Sequence, residues 1–492
     1  MRLKYFLKDI FYTTKDRRLL DLDIEDVTCQ SKNAGPGKLF VAISGDAQDG
    51  HRYVSEAIGK GSPACLVDSR GSNALGDSFP VIVVENTRFV FSLLSARVFE
   101  YPAKEVKVVG ITGTNGKTTT AFLIYHLFNY FSSCGMIGTV HHRVGSQTLP
   151  SRNTTPGAYD LQWMLGQMRK MRTGYCAMEV SSHSLAQDRV AHLAFHSTVF
   201  TNLSHEHLDY HRDLEAYFHA KAKLFLKGPQ PEYQVVNADD SYGARLFGML
   251  APHPVTFGLR SRADFIGHGI RVDLGGLSFS IDGKGKTIPV KLRMPCLHNV
   301  YNTLAAFACA SCEGWDPADI AQALKAFPGV PGRMERAAPE SGFYVFIDYA
   351  HTPQAVESVL RSVRPLATQR VITVLGCGGN RDAAKRAPMG SSASRYSDVV
   401  ILTSDNPRFE DPETILDQVE LGVTAGAGQT VFRISDREEA IAKALRLARP
   451  DDVVLILGKG HERYQIVGDR HLPFDDREVA ERILLERNHA YA

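Results

Sequence analysis

The chain has 492 residues, 44% of them hydrophobic and 22% charged, with a formal net charge of +2 at pH 7. That length predicts two to four domains, three being the natural division, and the near-neutral charge excludes the broad basic surface of a nucleic-acid or anionic-membrane binder. With no apolar run of about 18 residues, no membrane span is expected.

The N-terminal stretch "MRLKYFLKDIFYTTKD" starts basic, but Lys8 and Asp9 interrupt its apolar run, which argues against a secretory signal. Residues 1–105 then mix short strands ("KLFVAI", "ACLVD", "FPVIVVE") with helical "RYVSEAIGKG", separated by Gly, Pro and Asp turns. "EYPAKEVKVVGITG" marks a boundary, so a second segment is expected over 106–335. "FPGVPGRMERAAPESG", dense in Pro and Gly, closes it. Over 336–492 the apolar runs "YVFID", "VITVL", "VVILT" and "VVLIL" each precede a helical pattern, the signature of a doubly wound parallel sheet. Ligands of such sheets lie beyond the carboxyl ends of the strands, so the residues after these four runs are candidates. The fold class expected is α/β in three domains, with a central parallel sheet carrying the glycine-rich "GITGTNGKTT" expected of a P-loop ATPase and a C-terminal Rossmann-like sheet. Of the eight cysteines only Cys309 and Cys312 have C-x-x-C spacing. They lie in an apolar helical pattern without a second ligand pair, and read as buried thiols. A reduced cytoplasmic monomer is expected, with no nucleic-acid or membrane partner.

The most informative stretch is "VVGITGTNGKTTTAFL". Val106–Ile111 reads as a central parallel strand, and the residues after Gly116 have helical apolar spacing. Gly113–Gly116 therefore joins a strand to a helix N-terminus, where backbone N–H groups and the helix dipole cradle phosphates. Lys117 would bridge the β- and γ-phosphates and the Thr118 hydroxyl would ligate Mg²⁺. Glu179 follows at the end of the strand in "YCAMEVSSHSLAQDRV", a placement suited to the same cation. By spacing alone, the histidines of "FTNLSHEHLDYH" fit a polar surface or a satisfied core as well as a metal site. Thr-Thr-Pro in "SRNTTPGAYDL" fits a turn, and a lone Asn-Pro-Arg fits a turn with a solvated arginine.

"GITGTNGKTT" resembles the variant phosphate loop of the Mur ligases and the related folylpolyglutamate synthases, ATP-dependent enzymes that join an amino acid to a carboxylate. The resemblance extends along essentially the whole chain. It implies ATP contacts from Gly113, Thr114, Asn115, Gly116, Lys117, Thr118 and Thr119. It adds Asn299 and Asn302 of "HNVYNTLAA", Arg333 of "GVPGRMER", and Asp348 and His351 of "DYAHTP". It implies that Lys117, Glu179, His207 and Lys221 are catalytic, with Mg²⁺ held by Thr118, Glu179, His207 and Lys221, the last carbamylated by CO₂. Carbamylation replaces a cation with an anionic oxygen donor of the kind Mg²⁺ prefers.

The same resemblance implies a muramoyl-peptide site from Thr154, Thr155, Ser182, Gln187 and Arg189, and a uridine site from Ser31, Asp49, Gly50 and His51. "DNPR" resembles the motif of the diaminopimelate-adding members. Asp405, Asn406, Pro407 and Arg408 would hold the amino acid together with Arg386, Gly458 and Glu462. Arg408 would fork onto the second carboxylate that lysine lacks. The reaction implied is ATP-dependent addition of meso-2,6-diaminopimelate to the D-glutamate γ-carboxylate of UDP-N-acetylmuramoyl-L-alanyl-D-glutamate, through an acyl phosphate. Two alternatives stand beside it: the same chemistry with L-lysine or a folyl-glutamate acceptor, and a nucleotide-binding regulator without turnover.

Overall fold

The computed structural model describes residues 1–490 apart from 46–47, 76–78, 338–340, 425 and 427, and the backbone alone for 208–209 and 487–490. Contacts divide it into two compact units: Met1–Ile266 with Tyr301–Ile320, and Gly267–Val300 with Ala321–Ala492.

The first unit carries two sheets. The smaller contains β1 (Lys38–Val41), β2 (Cys65–Val67) and β3 (Val81–Val84), the three β-rich runs read from the sequence. Two short strands complete it, in the order Tyr12–Thr13, β3, β2, β1, Asp26–Thr28. Helix α1 (Thr87–Val98) follows, its N-terminus capped by Asn86, whose Oδ1 accepts from the Phe89 N–H at 3.0 Å.

The larger sheet starts with β4 (Lys107–Thr112), leading through the glycine loop into α2 (Lys117–Phe131). Then come β5 (Cys134–Ile137), α3 (Ala158–Lys170), β6 (Tyr175–Glu179), β7 (Ser197–Phe200), α4 (Leu214–Leu226), β8 (Tyr233–Asn237) and β9 (Val255–Gly258). The parallel order β9-β8-β7-β4-β6-β5 puts β4 between β7 and β6. Its residues Val108, Val109 and Ile111 are fully buried, as a strand covered on both faces requires. Register pairs Glu179 with Ile111 and Phe200 with Thr112, so the carboxyl ends of β6 and β7 flank the glycine loop.

In the second unit β10 (Tyr344–Asp348), α5 (Pro353–Val363), β11 (Val371–Cys377), α6 (Arg386–Tyr396), β12 (Val399–Ser404), β13 (Thr430–Arg433), α7 (Arg437–Leu447), β14 (Val453–Leu457) and α8 (Asp476–Ala490) form the doubly wound body. The order β10-β14-β11-β12-β13 is parallel throughout. β13 goes beyond the four expected strands: it is a short edge strand with no buried residue, so it lacks the apolar run that marks the others. The expected linker also gains structure, since Glu335–Ala337 pairs antiparallel with β10. The hairpin Gly276–Gly283/Lys286–Leu292 belongs to this unit by contact, and its neighbours Leu274 and Cys296 pack in the core with Phe346 and Val356.

All eight cysteines are free thiols, Cys309 buried and Cys312 half-buried. Among the described residues no helix is long and apolar enough to cross a membrane.

Candidate active site

The loop between β4 and α2 is built around two glycines. Gly116 has φ 85° and a Cβ there would come within 2.3 Å of Asn302 Oδ1; Gly113 has φ 151° and its Cβ would come within 1.9 Å of Thr201 Oγ1. Both positions therefore require glycine for conformation and for space. The loop is braced from β7: the Thr114 N–H donates to Asn202 O at 2.8 Å, the Asn115 N–H to Asn202 Oδ1 at 3.0 Å, and Thr201 Oγ1 to Asn115 O at 2.7 Å.

Lys117 Nζ donates to Gly113 O at 2.9 Å and Thr114 O at 2.7 Å, and Lys221 Nζ donates to the same Gly113 O at 2.8 Å. Two lysines from α2 and α4 thus meet on one carbonyl. Lys221 is 1% exposed, with its Nζ 4.5 Å from the centroid of the Tyr217 ring. Burial first, and then the charge of Lys117, pushes its ammonium well below the ordinary lysine range, against a smaller opposing pull from Glu206. The His207 ring lies 6.1 Å from the Tyr217 ring, centroid to centroid.

Glu179, 1% exposed, accepts from Thr118 Oγ1 at 2.8 Å. The Thr139 N–H reaches its Oε1 at 2.7 Å and Thr139 Oγ1 its Oε2 at 3.1 Å. Thr139 lies outside the residues singled out in the sequence. It follows β5, and the rule that sites lie after strand ends would have found it in "CGMIGTV". Thr139 Oγ1 also lies 3.1 Å from Thr154 Oγ1, and Thr155 Oγ1 donates to Glu179 O at 2.9 Å. Arg189 continues this chain, donating to Thr155 O at 2.8 Å and Gln187 Oε1 at 2.6 Å, while Ser182 Oγ lies 2.9 Å from His211 Nε2. Of the five residues read as catalytic or metal-binding, Thr118 is bonded to Glu179, Lys117 and Lys221 share the Gly113 carbonyl, and His207 approaches Tyr217, the ring beside Lys221. Among the described residues no cluster of three or more His, Cys, Asp or Glu could hold a metal, so an ion here would need the Thr118 hydroxyl and a modified lysine beside Glu179 and His207.

The uridine-site residues form a braced turn. Asp49 Oδ1 accepts from the His51 N–H at 3.1 Å and lies 2.7 Å from His51 Nδ1. These bonds hold the Asp49 carboxyl below its usual range. His51 Nε2 accepts from the Asp68 N–H at 3.2 Å, which fixes the proton on Nδ1. Lys60 Nζ donates to Ser31 O at 3.1 Å.

In the second unit the residues after the strand ends gather. Asp405, Asn406 and Pro407 follow β12, and Gly458 to Glu462 follow β14. Asn406 Nδ2 donates to Glu462 Oε2 at 2.8 Å. Arg408, with φ 53°, donates from Nη1 to Gly379 O at 2.9 Å. Arg386 is 1% exposed, meets the Glu410 carboxylate at 2.8 Å and donates to Gln418 Oε1 at 2.7 Å. Asp348 is buried, its Oδ1 and Oδ2 accepting from the Ala350 and Met334 N–H groups at 2.9 and 2.8 Å, and burial raises its carboxyl above the usual range. His351 Nδ1 lies 2.7 Å from Tyr349 O, with the Arg333 guanidinium 5.2 Å from the Tyr349 ring centroid. Asn299, also buried, donates to Pro295 O at 2.7 Å.

Residues 111–310 match the Mur ligase middle domain, and 332–460 match the Mur ligase glutamate ligase domain. A curated relative from Syntrophomonas wolfei subsp. wolfei, UDP-N-acetylmuramoyl-L-alanyl-D-glutamate–2,6-diaminopimelate ligase, is 38% identical over 98% of this chain and 99% of its own. The chain belongs to the Mur ligase family. A solved structure of a UDP-N-acetylmuramoyl-L-alanyl-D-glutamate–2,6-diaminopimelate ligase matches this Mur ligase with a TM-score of 0.74 at 28% identity, over 99% of each chain. The Thermotoga maritima MurF ligase, solved with ADP, shares the fold at a TM-score of 0.59 and 18% identity, over 94% of this chain and 98% of its own. Mur ligases use ATP, and a change at Gly116 tests the glycine loop as its seat. Gly116→Ala is expected to raise the KM for ATP about tenfold or more, because a left-handed alanine costs about 1–2 kcal/mol before any clash with Asn302. Steady-state ADP release checks it.

Proposed function

We propose that this Mur ligase adds meso-2,6-diaminopimelate to UDP-N-acetylmuramoyl-L-alanyl-D-glutamate at the expense of ATP. The observation that carries the amino-acid assignment is the "DNPR" turn after β12, with Arg408 on Gly379 O and Asn406 on Glu462. A guanidinium suits the distal carboxylate of diaminopimelate, and a carboxylate suits its ammonium. Asp405, Pro407, Gly458 and Arg386 complete that set. The functional division is 1–105 for the uridine part, 106–335 for ATP and 336–492 for the amino acid.

The dipeptide carboxylate attacks the γ-phosphorus, giving an acyl phosphate and ADP. The diaminopimelate amine then adds to the carbonyl, a tetrahedral intermediate forms and phosphate leaves. Lys117 would meet the β- and γ-phosphates, and the glycine-loop N–H groups would orient them. Thr154, Thr155, Ser182, Gln187 and Arg189 would hold the muramoyl peptide beside Glu179, and Ser31 with Asp49–His51 the uridine. Asn299, Asn302, Arg333, Asp348 and His351 would serve the adenosine.

Mg²⁺ suits the donor set: a buried carboxylate already bonded to the Thr118 hydroxyl, next in sequence to Lys117, which shares the Gly113 carbonyl with Lys221. When bound it would neutralise charge between the phosphoryl group and the attacking carboxylate. Lys221 is suited to carbamylation because burial and the charge of Lys117 favour its neutral amine, the form that adds to CO₂ with loss of a proton.

Arg408→Ala is expected to lower kcat/KM for diaminopimelate by about 2–3 kcal/mol through loss of a charge-assisted contact, and to leave the KM for ATP unchanged. An unaltered preference for diaminopimelate over lysine would refute the role given to Arg408.

A further inference from the structure

Lys459 lies between two residues of the amino-acid subsite yet has no part in the reading above. Its side chain is 0% exposed. A buried ammonium is tolerated only where acceptors and counter-charge replace its hydration. Here Nζ donates to Asn406 Oδ1 at 3.1 Å and to Glu462 Oε2 at 3.2 Å, and stands 5.8 Å from the Tyr464 ring centroid. The Ile466 N–H donates to the same Asn406 Oδ1 at 2.9 Å.

Two donors on Oδ1 settle which way the Asn406 carboxamide points, because the flipped amide would set its own N–H groups against an ammonium and an N–H. Nδ2 is then the atom left to face Glu462 Oε2, at 2.8 Å. Both of these contacts on Glu462 fall on Oε2, so an incoming ammonium has Oε1 to meet. Formal charges also balance: Arg386, Arg408 and Lys459 offset Glu410, Asp405 and Glu462, which suits a neutral head group carrying one ammonium and one carboxylate.

We propose that Lys459 is the positioning residue of the amino-acid subsite, locking Asn406 and Glu462 into the single arrangement that receives the distal head of the amine substrate. The proposal rests on the reading of Asn406 and Glu462 as substrate contacts. Without the lysine charge, Asn406 Oδ1 keeps only the Ile466 N–H as a donor and Glu462 loses the cation that offsets it. Lys459 acts through these two side chains and does not itself touch the substrate.

The test is steady-state kinetics of the full chain with Lys459→Met, Glu462→Gln and the double variant, varying diaminopimelate and ATP separately. Each single change is expected to raise the KM for diaminopimelate about 30-fold or more, as for loss of a charged hydrogen bond, with the KM for ATP within about twofold. The double variant should be no more than about threefold worse than the poorer single, since both changes dismantle one unit. Additive effects, a KM for ATP rising in step, or a parental KM for diaminopimelate in Lys459→Met would each overturn the proposal. Parental diaminopimelate kinetics in Glu462→Gln would instead remove the subsite reading beneath it. Should the methionine variant not fold, Lys459→Gln gives the same readings.

Discussion

Lys221→Met is expected to abolish turnover while leaving the protein at least as stable as the parent. The two halves of this expectation come from one fact, the burial of an amine that is 1% exposed. Its ammonium is disfavoured by burial and by Lys117, so the native state holds a group that water would solvate better. Methionine matches the length of the stem without a charge, and replacing a buried ionisable group by an apolar one is often neutral or stabilising. Catalysis is the opposite case. The carbamate proposed on Lys221 would be an anionic oxygen donor for the cation proposed at Thr118 and Glu179, and no apolar side chain replaces it. A loss of about a thousandfold or more in kcat is expected, the scale of removing a preorganised electrostatic contact from a transition state. ADP release and thermal unfolding of the same preparation check both halves. Retention of a tenth of the activity would show that Lys221 is only a packing residue.

Asp476→Ala is the largest expected loss of stability, about 3–5 kcal/mol, the cost of stranding a buried charge. Asp476 at the start of α8 and Arg437 at the start of α7 form a two-pronged pair, Nε to Oδ1 and Nη2 to Oδ2 both at 2.7 Å, with neither side chain exposed. Burial works against the arginine charge, and the Asp476 carboxylate more than offsets it, so the guanidinium titrates above its ordinary value. The remaining N–H groups donate to Ser404 O at 3.3 Å and Leu457 O at 3.1 Å, the last residues of β12 and β14. The pair therefore ties together the two strand ends from which Asp405–Arg408 and Gly458–Glu462 depart. Chemical denaturation should show the loss, and the KM for diaminopimelate should rise more than that for ATP. Arg437→Met with Asp476→Leu, which removes both charges, should recover most of the stability.

Much of this was legible in the sequence. The runs "YVFID", "VITVL", "VVILT" and "VVLIL" became β10, β11, β12 and β14 because a strand buried on both faces must be apolar throughout. The glycine loop was legible because two positions tolerate nothing but glycine and a lysine follows at a helix start. Edge strand β13 was not, since "TVFR" carries no buried residue. Thr139 was missed because the strand-end rule was applied only to the C-terminal runs, although it also holds after β5. Arg437, Asp476 and Lys459 were missed for a different reason: their partners lie across strand ends, and charge pairing at a distance leaves no periodicity in the chain. The histidines of "SHEHLDYH" were ambiguous by spacing. The structure sets His207 beside Tyr217, whose ring also approaches Lys221, while the side chain of Asp209 lies outside the described residues.

The most direct measurement is ADP release from ATP with UDP-N-acetylmuramoyl-L-alanyl-D-glutamate present and one amino acid supplied at a time. Sustained ADP formation with meso-diaminopimelate and little with L-lysine, accompanied by a tripeptide product of matching mass, is the predicted result. ATP binding without ADP formation when every substrate is present, or equal turnover with lysine, would contradict it.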